Sequence, residues 1–381
     1  MKLQILQENL EKAVSTTSRF ASSRAQLPIL GNILLSTKKS KIYISSTNLE
    51  ISASVQVGAK IEEEGEISVP AKVISELVSN LPKETVSLSS EKEQLKVSVS
   101  GFSSTVLGMN PTDFPKIINT VDNETSIHFS QDEIVKALGQ VIFATSTDET
   151  RPILTGVLFL FGKNSLSLVA TDGFRLSRKT ISLKEGKTGT DNVVIPKGVL
   201  GEISRTTSED GEILFNVQEK EKQVIFGIGD TVLTSRLLEG EYPDFEKIIP
   251  KSSSIKILID KEEFSRSVKL ASIFARESAN IVKIKVLKDS IKVLAESGTA
   301  GSQETSVDAR VESGGSNLES GKNSFEIAFN YRFVEDFLHS VSGEEVKMEF
   351  SGVSAPGVFV DTSDSSYLHL IMSVKVPGSS S

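Results

Sequence analysis

The sequence predicts an α+β fold assembled from three copies of one unit, each copy two helices packed on antiparallel strands. Three observations predict it. The same amphipathic helical pattern starts at Gln7 (QENLEKAVSTTSRFAS), Gln131 (QDEIVKALGQVIFATS) and Lys261 (KEEFSRSVKLASIFAR), at offsets of 124 and 130 residues. A second helical family keeps the same order: VPAKVISELVS from Val69, IPKGVLGEISR from Ile195 and FNYRFVEDFLHS from Phe329. Short alternating stretches with turn residues fill the intervals, as half-buried strands do.

In the first family Leu10, Ile134 and Phe264 align, then Lys12, Lys136 and Arg266, then Val14, Leu138 and Val268. Apolar residues recur at i, i+3 or i+4, and i+7, which makes one buried helix face. In the second family Val73, Val199 and Phe333 align, as do Leu77, Ile203 and Phe337. Pro70 and Pro196 are expected at the first helical position. The strands expected between include KIYISST, SASVQVGAKI, TVSLSSE, QLKVSVSG, QVIFGIG, SIKILID, NIVKIKVL, SIKVLAES and LHLIMSVKV. SLVATDGFRLSR reads as a hairpin turning at Asp172–Gly173. Unit ends match too, TDFPKI at Thr112 with PDFEKI at Pro243. The expected units are 1–122, 123–251 and 252–381. The Gly/Ser-rich stretch 312–322 is expected at a hairpin tip within the third, and the final VPGSSS carries no structural weight.

Composition removes whole classes of chemistry. The chain of 381 residues has no cysteine, so disulfides, iron–sulfur clusters and thiolate sites are excluded. Its three histidines, His128, His339 and His369, have no second ligand at metal spacing. No cofactor and no catalytic residue is expected. Asp113 and Asp244 fall in unit-equivalent loops and read as turn residues, and Gly31 as a turn or bulge glycine. Phe226-Gly-Ile-Gly-Asp precedes an alternating run with no helix, so it is not a dinucleotide loop. The N-terminus has no apolar leader and no run reaches membrane-spanning length, so a cytoplasmic protein without a membrane partner is expected.

Lys and Arg total 42 against 50 Asp and Glu, a net charge of −8. Taken globally, that is the wrong sign for a nucleic-acid binder. The helical segments, taken as 7–24, 70–80, 131–147, 196–207, 261–276 and 329–341, hold 12 basic and 10 acidic residues, and the remainder 30 and 40. The helices are thus mildly basic and the remainder acidic. A surplus of +2 is small enough to arise by chance, and it supports only weak, sequence-independent phosphate contact.

LPILGN at 27–32, TNLE at 47–50, SLVATDGFRLSR at 167–178, YPDFEKIIP at 242–250 and the terminal YLHLIMSVKV resemble the bacterial DNA polymerase III β sliding clamps. The resemblance covers the chain to Val376. It implies three DNA-clamp domains per chain and a head-to-tail homodimeric ring with the helices lining the hole. It implies a processivity factor without catalytic chemistry. The ring would encircle double-stranded DNA without sequence preference. It would tether the replicative polymerase's catalytic subunit, the clamp loader and other clamp-motif proteins. A polarised charge distribution would reconcile the acidic total with DNA in the hole.

The resemblance also places residues. A hydrophobic peptide cleft falls on Leu154, Thr171, Gly173, Phe174, Arg175, Leu176, Pro243, Lys247, Ile248, Leu370, Ile371, Met372, Ser373 and Val374. DNA contacts fall on Arg24, Lys72, Lys197 and Arg205. The subunit interface sets Phe102 of one chain against Ile273 and Phe274 of the other. The chain departs from the family's common Pro at Ser373, Arg at Lys375 and Leu at Val376. It also has Pro152 and Ile153 where some members carry aromatics. Two other classes stand beside this reading, a carboxylate-based hydrolase and a repeat scaffold that binds no DNA. Against the hydrolase, the sequence shows no nucleophile–base pair or phosphate loop.

Overall fold

Among the described residues, each of the six α-helices grows directly out of a strand, with no residue between them. The pairs are Lys2–Leu6 into α1 (Gln7–Ser18), Glu66–Pro70 into α2 (Ala71–Ser79) and Ile127–Ser130 into α3 (Gln131–Val141). The same join leads Val193–Pro196 into α4 (Lys197–Ile203), Ile255–Asp260 into α5 (Lys261–Ala275) and Phe325–Asn330 into α6 (Tyr331–Ser340). This computed structural model describes residues 1–22, 27–183, 192–206, 208, 210–313 and 325–375. Arg24, Val376, the final residues and most of the 312–322 stretch lie outside the described residues.

The helices sit where the repeats put them, with shorter ends. α1 stops at Ser18, not near residue 24. Thr16, Thr17 and Ser18 hydroxyls donate back to the carbonyls of Lys12, Ala13 and Ser15 at 2.9–3.1 Å. Such local bonds compete with continued helix. α3 gives way at Val141 to a 3-10 turn, Ile142–Ala144. Pro70 and Pro196 each end the strand before the helix, one residue earlier than expected. At α5 and α6 the caps are side chains. Asp260 Oδ1 accepts from Glu263 N at 2.8 Å, and Asn330 Oδ1 from Arg332 N at 3.0 Å.

The chain packs as two compact units. The first joins Met1–Glu133 with Gly198–Leu237, and the second Ile134–Lys197 with Leu238–Ser381. Compactness follows the sheets and not the repeat boundaries, because strands of successive repeats pair. In the first unit, Ile51–Gly58 pairs antiparallel with Thr231–Arg236, completing an eight-stranded sheet beside a five-stranded one. In the second, Arg175–Ser182 pairs antiparallel with Tyr367–Ile371 inside a twelve-stranded sheet.

Beneath these sheets lie the buried helix faces. Leu10, Ala13 and Val14 of α1 join Ile74 and Val78 of α2 in the first unit's core. Phe264, Val268 and Ala271 of α5 join Val334 and Phe337 of α6 in the second. Phe329 meets Phe359 edge-on there, ring centres 5.5 Å apart. Burying each such side chain is worth roughly 1.5–3 kcal/mol.

Candidate functional site

The turn after the strand Ser165–Thr171 is built by a Thr–Asp pair. The Thr171 hydroxyl donates to Arg175 O at 2.6 Å and accepts from Gly173 N at 3.1 Å. Asp172 Oδ1 accepts from Phe174 N at 2.9 Å and Arg175 N at 3.0 Å. Closing the turn this way needs a left-handed residue, and Gly173 supplies it at φ +91°. The expected Asp-Gly hairpin is present.

Across the turn lies the strand Tyr367–Ile371, with Leu370 opposite Leu176 and Ile371 opposite Arg175. Met372 N then donates to Phe174 O at 2.8 Å, and Val374 N to Ala328 O at 2.8 Å. Strand alternation divides these side chains. Leu370 packs with Leu158, Val169, Leu176, Phe245 and Val358 in one apolar cluster. Ile371 enters the core of α5 and α6 on the other face. Leu176 and Leu370 are buried, so they form a floor. Phe174, Ile248 and Met372 are exposed above it at 63%, 43% and 38%. Leu154 is buried in the 3-10 turn Pro152–Thr155. Ser373 and Val374 are half-buried, and Pro243 is exposed. Lys247, at the rim, pairs with Asp244 at 2.8 Å. All fourteen expected cleft residues therefore lie in the second compact unit.

Arg175 differs from the exposed Lys247 among them, because its charge is mostly buried and already used. Its Nε donates to Asp172 Oδ2 at 3.1 Å and its Nη2 to Phe143 O at 2.6 Å, while Nη1 donates to Asp336 Oδ2. Its guanidinium carbon lies 4.5 Å from the Phe333 ring centre and 5.4 Å from that of Phe143. Arg175 thus ties the turn to α6 and offers little to an incoming ligand. The tie of Asp336, Phe333 and Phe143 to Arg175 escaped the sequence reading, since no pattern links them. Tyr242 and Phe245 also escaped it, though both stand in the quoted YPDFEKIIP. Tyr242 OH donates to Val169 O at 3.3 Å, and Phe245 completes the floor.

Behind the strand, His369 is fully buried and stacks on Phe337, its Nδ1 2.7 Å from Ser177 Oγ. Burial, with Arg175 adding, pushes its imidazole down to about 3, so it is neutral. Asp364 stands three residues before the same strand. Burial opposes its charge, yet hydrogen bonds from Lys179, Ser366 and Gln140 bring it down to about 2. His369 is sealed in, and the half-buried Asp364 is already taken up by these hydrogen bonds.

Lys72 stands exposed on α2, Lys197 exposed at the start of α4, and Arg205 exposed just beyond its end. Arg205 pairs with Glu202 at 2.7 Å, and Arg19 Nε lies 3.3 Å from the other Glu202 oxygen as an ion contact. Lys12, Lys136 and Arg266, aligned by the repeat, are also exposed on their helices. Phe102 is 42% exposed and begins an edge strand of the five-stranded sheet. On α5, Ile273 is 57% exposed, whereas Phe274 packs partly against its own core. Among the described residues no cluster of three His, Asp or Glu is placed to hold a metal ion.

Comparison with known proteins gives a consistent result. Models of the DNA polymerase III beta subunit match the chain throughout. The N-terminal domain matches residues 1–118, the central domain 128–244 and the C-terminal domain 246–375. The beta sliding clamp of Staphylococcus aureus is 30% identical over 385 residues, covering 98% of this chain and 99% of the relative. The DNA polymerase sliding clamp of Bacillus subtilis superposes with a TM-score of 0.91 at 27% identity, covering 99% of each chain. The DNA polymerase III beta subunit of Thermotoga maritima gives 0.87 at 25% identity, covering 98% of this chain and 99% of that one.

Proposed function

The chain belongs to the DNA polymerase III beta subunit family, the sliding clamps, and on that premise we propose that its apolar cleft holds short linear peptides of the polymerase and its accessory proteins. The protein is a processivity factor and performs no chemistry itself. What carries the cleft reading is a fully buried floor, Leu176 and Leu370, beneath exposed Phe174, Ile248 and Met372. Soluble proteins rarely leave large apolar side chains clustered without a partner for them. Arg175 acts from beneath as a positioning residue, holding the turn whose carbonyl anchors Met372.

Two copies close head to tail into a ring around duplex DNA. The exposed Phe102 on an edge strand and the exposed Ile273 support this interface, with Phe274 backing Ile273 from its own core. Lys72, Lys197 and Arg205 meet phosphates, with Arg24 a further candidate, and Lys12, Lys136 and Arg266 extend the set. The contacts are few and weak, as sliding requires. Domain boundaries near 122 and 251 fit the spans matched by the family models. The chain works in the cytoplasm, and no described helix is long and apolar enough to cross a membrane.

Titrating a labelled peptide with spaced Leu and Phe anchors tests the cleft. Met372→Ala should weaken it by on the order of 1–2 kcal/mol, and unchanged binding would place the peptide elsewhere. Ser373→Pro removes neither backbone bond here, since Met372 and Val374 make them. It should tighten binding by tenths of a kcal/mol to about 1 through pre-organisation. For the ring, loaded protein should survive salt on closed circular DNA and leave after linearisation, whereas direct phosphate binding fails in salt on both.

A further inference from the structure

We propose that the first compact unit carries a second peptide site, a polar groove that takes an extended acidic segment of a partner protein. The groove is framed by the turn Thr47 to Ile51, the end of the strand Thr231–Arg236 and the segment around Lys116. Its backbone repeats that of the cleft bond for bond. The Thr47 hydroxyl donates to Ile51 O at 3.0 Å and accepts from Leu49 N at 3.0 Å. Asn48 Oδ1 accepts from Glu50 N at 3.0 Å and Ile51 N at 2.8 Å. Arg236 N donates to Glu50 O at 3.1 Å, as Met372 N does to Phe174 O. Register then sets Ser52 opposite Thr234, where the cleft has Leu176 opposite Leu370.

Those substitutions make the cavity polar, and its chemistry selects the occupant. Thr234 is only 7% exposed, and its hydroxyl oxygen is buried in the groove wall without a hydrogen-bond partner. Buried polar atoms are nearly always satisfied, so a peptide N–H or C=O laid along the groove fills a real deficit. Arg236 and Lys116 line the cavity, are exposed, and pair with no carboxylate among the described residues. Two cations against the single carboxylate of Glu50 favour an acidic side chain. Leu49 is 48% exposed and held at φ +75°, a conformation leucine rarely adopts. With Pro115 and Ile118 it gives the acidic segment one apolar resting place. The equivalence borrows from the peptide reading of the cleft, but the cavity, the orphan hydroxyl and the unpaired cations stand without it.

The test is fluorescence anisotropy on the full chain at low salt, with fluorescein-labelled Gly-Asp-Glu-Leu-Asp-Glu amide and, separately, the Leu/Phe-anchored peptide. The acidic peptide should bind saturably. Arg236→Glu should weaken it about tenfold or more and Thr234→Val about threefold, with Met372→Ala and Lys96→Glu, an exposed lysine outside the groove lining, leaving it unchanged. The Leu/Phe peptide should show the opposite pattern, lost in Met372→Ala and kept in Arg236→Glu. No saturation by about 1 mM, equal losses in Arg236→Glu and Lys96→Glu, or displacement of the acidic peptide by the Leu/Phe peptide would each overturn the second site. Failure of the Leu/Phe peptide alone would overturn the cleft and leave this groove standing.

Discussion

At the centre of the turn at 47–51 a leucine sits at φ +75°, where the turn at 171–175 has a glycine at +91°. The hydrogen bonds around them are the same, drawn by Thr47 and Asn48 in one and Thr171 and Asp172 in the other. The side chains that follow differ at every step. Ile51 replaces Arg175, Leu233 replaces His369, Thr234 replaces Leu370 and Arg236 replaces Met372. The comparison separates two jobs that one segment performs. A Thr–Asx pair and its strand register set the backbone, and a handful of outward positions set what the resulting groove can hold.

The largest difference to probe is Arg175 against Ile51. Removing the guanidinium leaves Asp172 without its side-chain partner and strips Asp336 of its ion pair. Arg175→Ala should destabilise the protein by about 3 kcal/mol in urea unfolding, because a largely buried charge network loses its centre. Arg175→Lys should not rescue it, since one ammonium cannot span three acceptors and stack on two rings. Ile51→Ala, at a half-buried position, should cost only about 1 kcal/mol. Equal costs would mean that the second turn needs no tie to α6.

Next in size is pH. His369 has a folded value near 3, below the ordinary 6.5, so the unfolded chain takes its proton first. Acidification therefore favours unfolding, by about 1.4 kcal/mol per pH unit below roughly pH 6. Between about pH 6 and 4.5, above the ordinary carboxylate range, urea midpoints of the parent should fall steadily. His369→Leu, which copies Leu233 of the other region, should flatten that limb. A slope that persists in the variant would locate the acid sensitivity elsewhere. Asp364, held near 2, contributes stability that is lost only at still lower pH.

The smallest contrast exchanges the turn residues. Gly173→Ala should cost about 1 kcal/mol for its left-handed backbone alone, since the added carbon would meet only Arg151 Nη1 at 3.4 Å. Leu49→Gly should stabilise by about 0.5 kcal/mol, the relief of strain partly offset by glycine's unfolded-state entropy. Thermal unfolding of both variants decides the matter, and a loss of stability in Leu49→Gly would show that leucine's contacts outweigh its strain.

Much of this was legible in the sequence because helices with one buried face write themselves at a fixed period. Leu10, Ile134 and Phe264 aligned for that reason, and each is buried. The strands EISVP, IHFS and VVIP were not read. They have four or five residues and run straight into helical patterns, and the prolines that end two of them read equally well as the first residue of a helix. The cleft residues were suggested by resemblance, and the structure brings them into one unit. The task of Arg175 was hidden because Asp336 lies 161 residues away. The polar groove was hidden because the equivalence of Arg236 with Met372 exists only in strand register.

The joins of strand to helix without a loop have a consequence for how such a chain can vary in length. A helix turns about 100° per residue. One residue added between Leu6 and Gln7, or between Asp260 and Lys261, would rotate the whole helix by that angle. Leu10 or Phe264 would swing toward water, and the outward Lys12 or Arg266 toward the core. The joins therefore act as phase locks on the helix faces that follow them. A change of length should cost least at the hairpin ends, where Lys39, Lys92 and Lys222 already turn the chain through left-handed backbone and no helix face depends on the count.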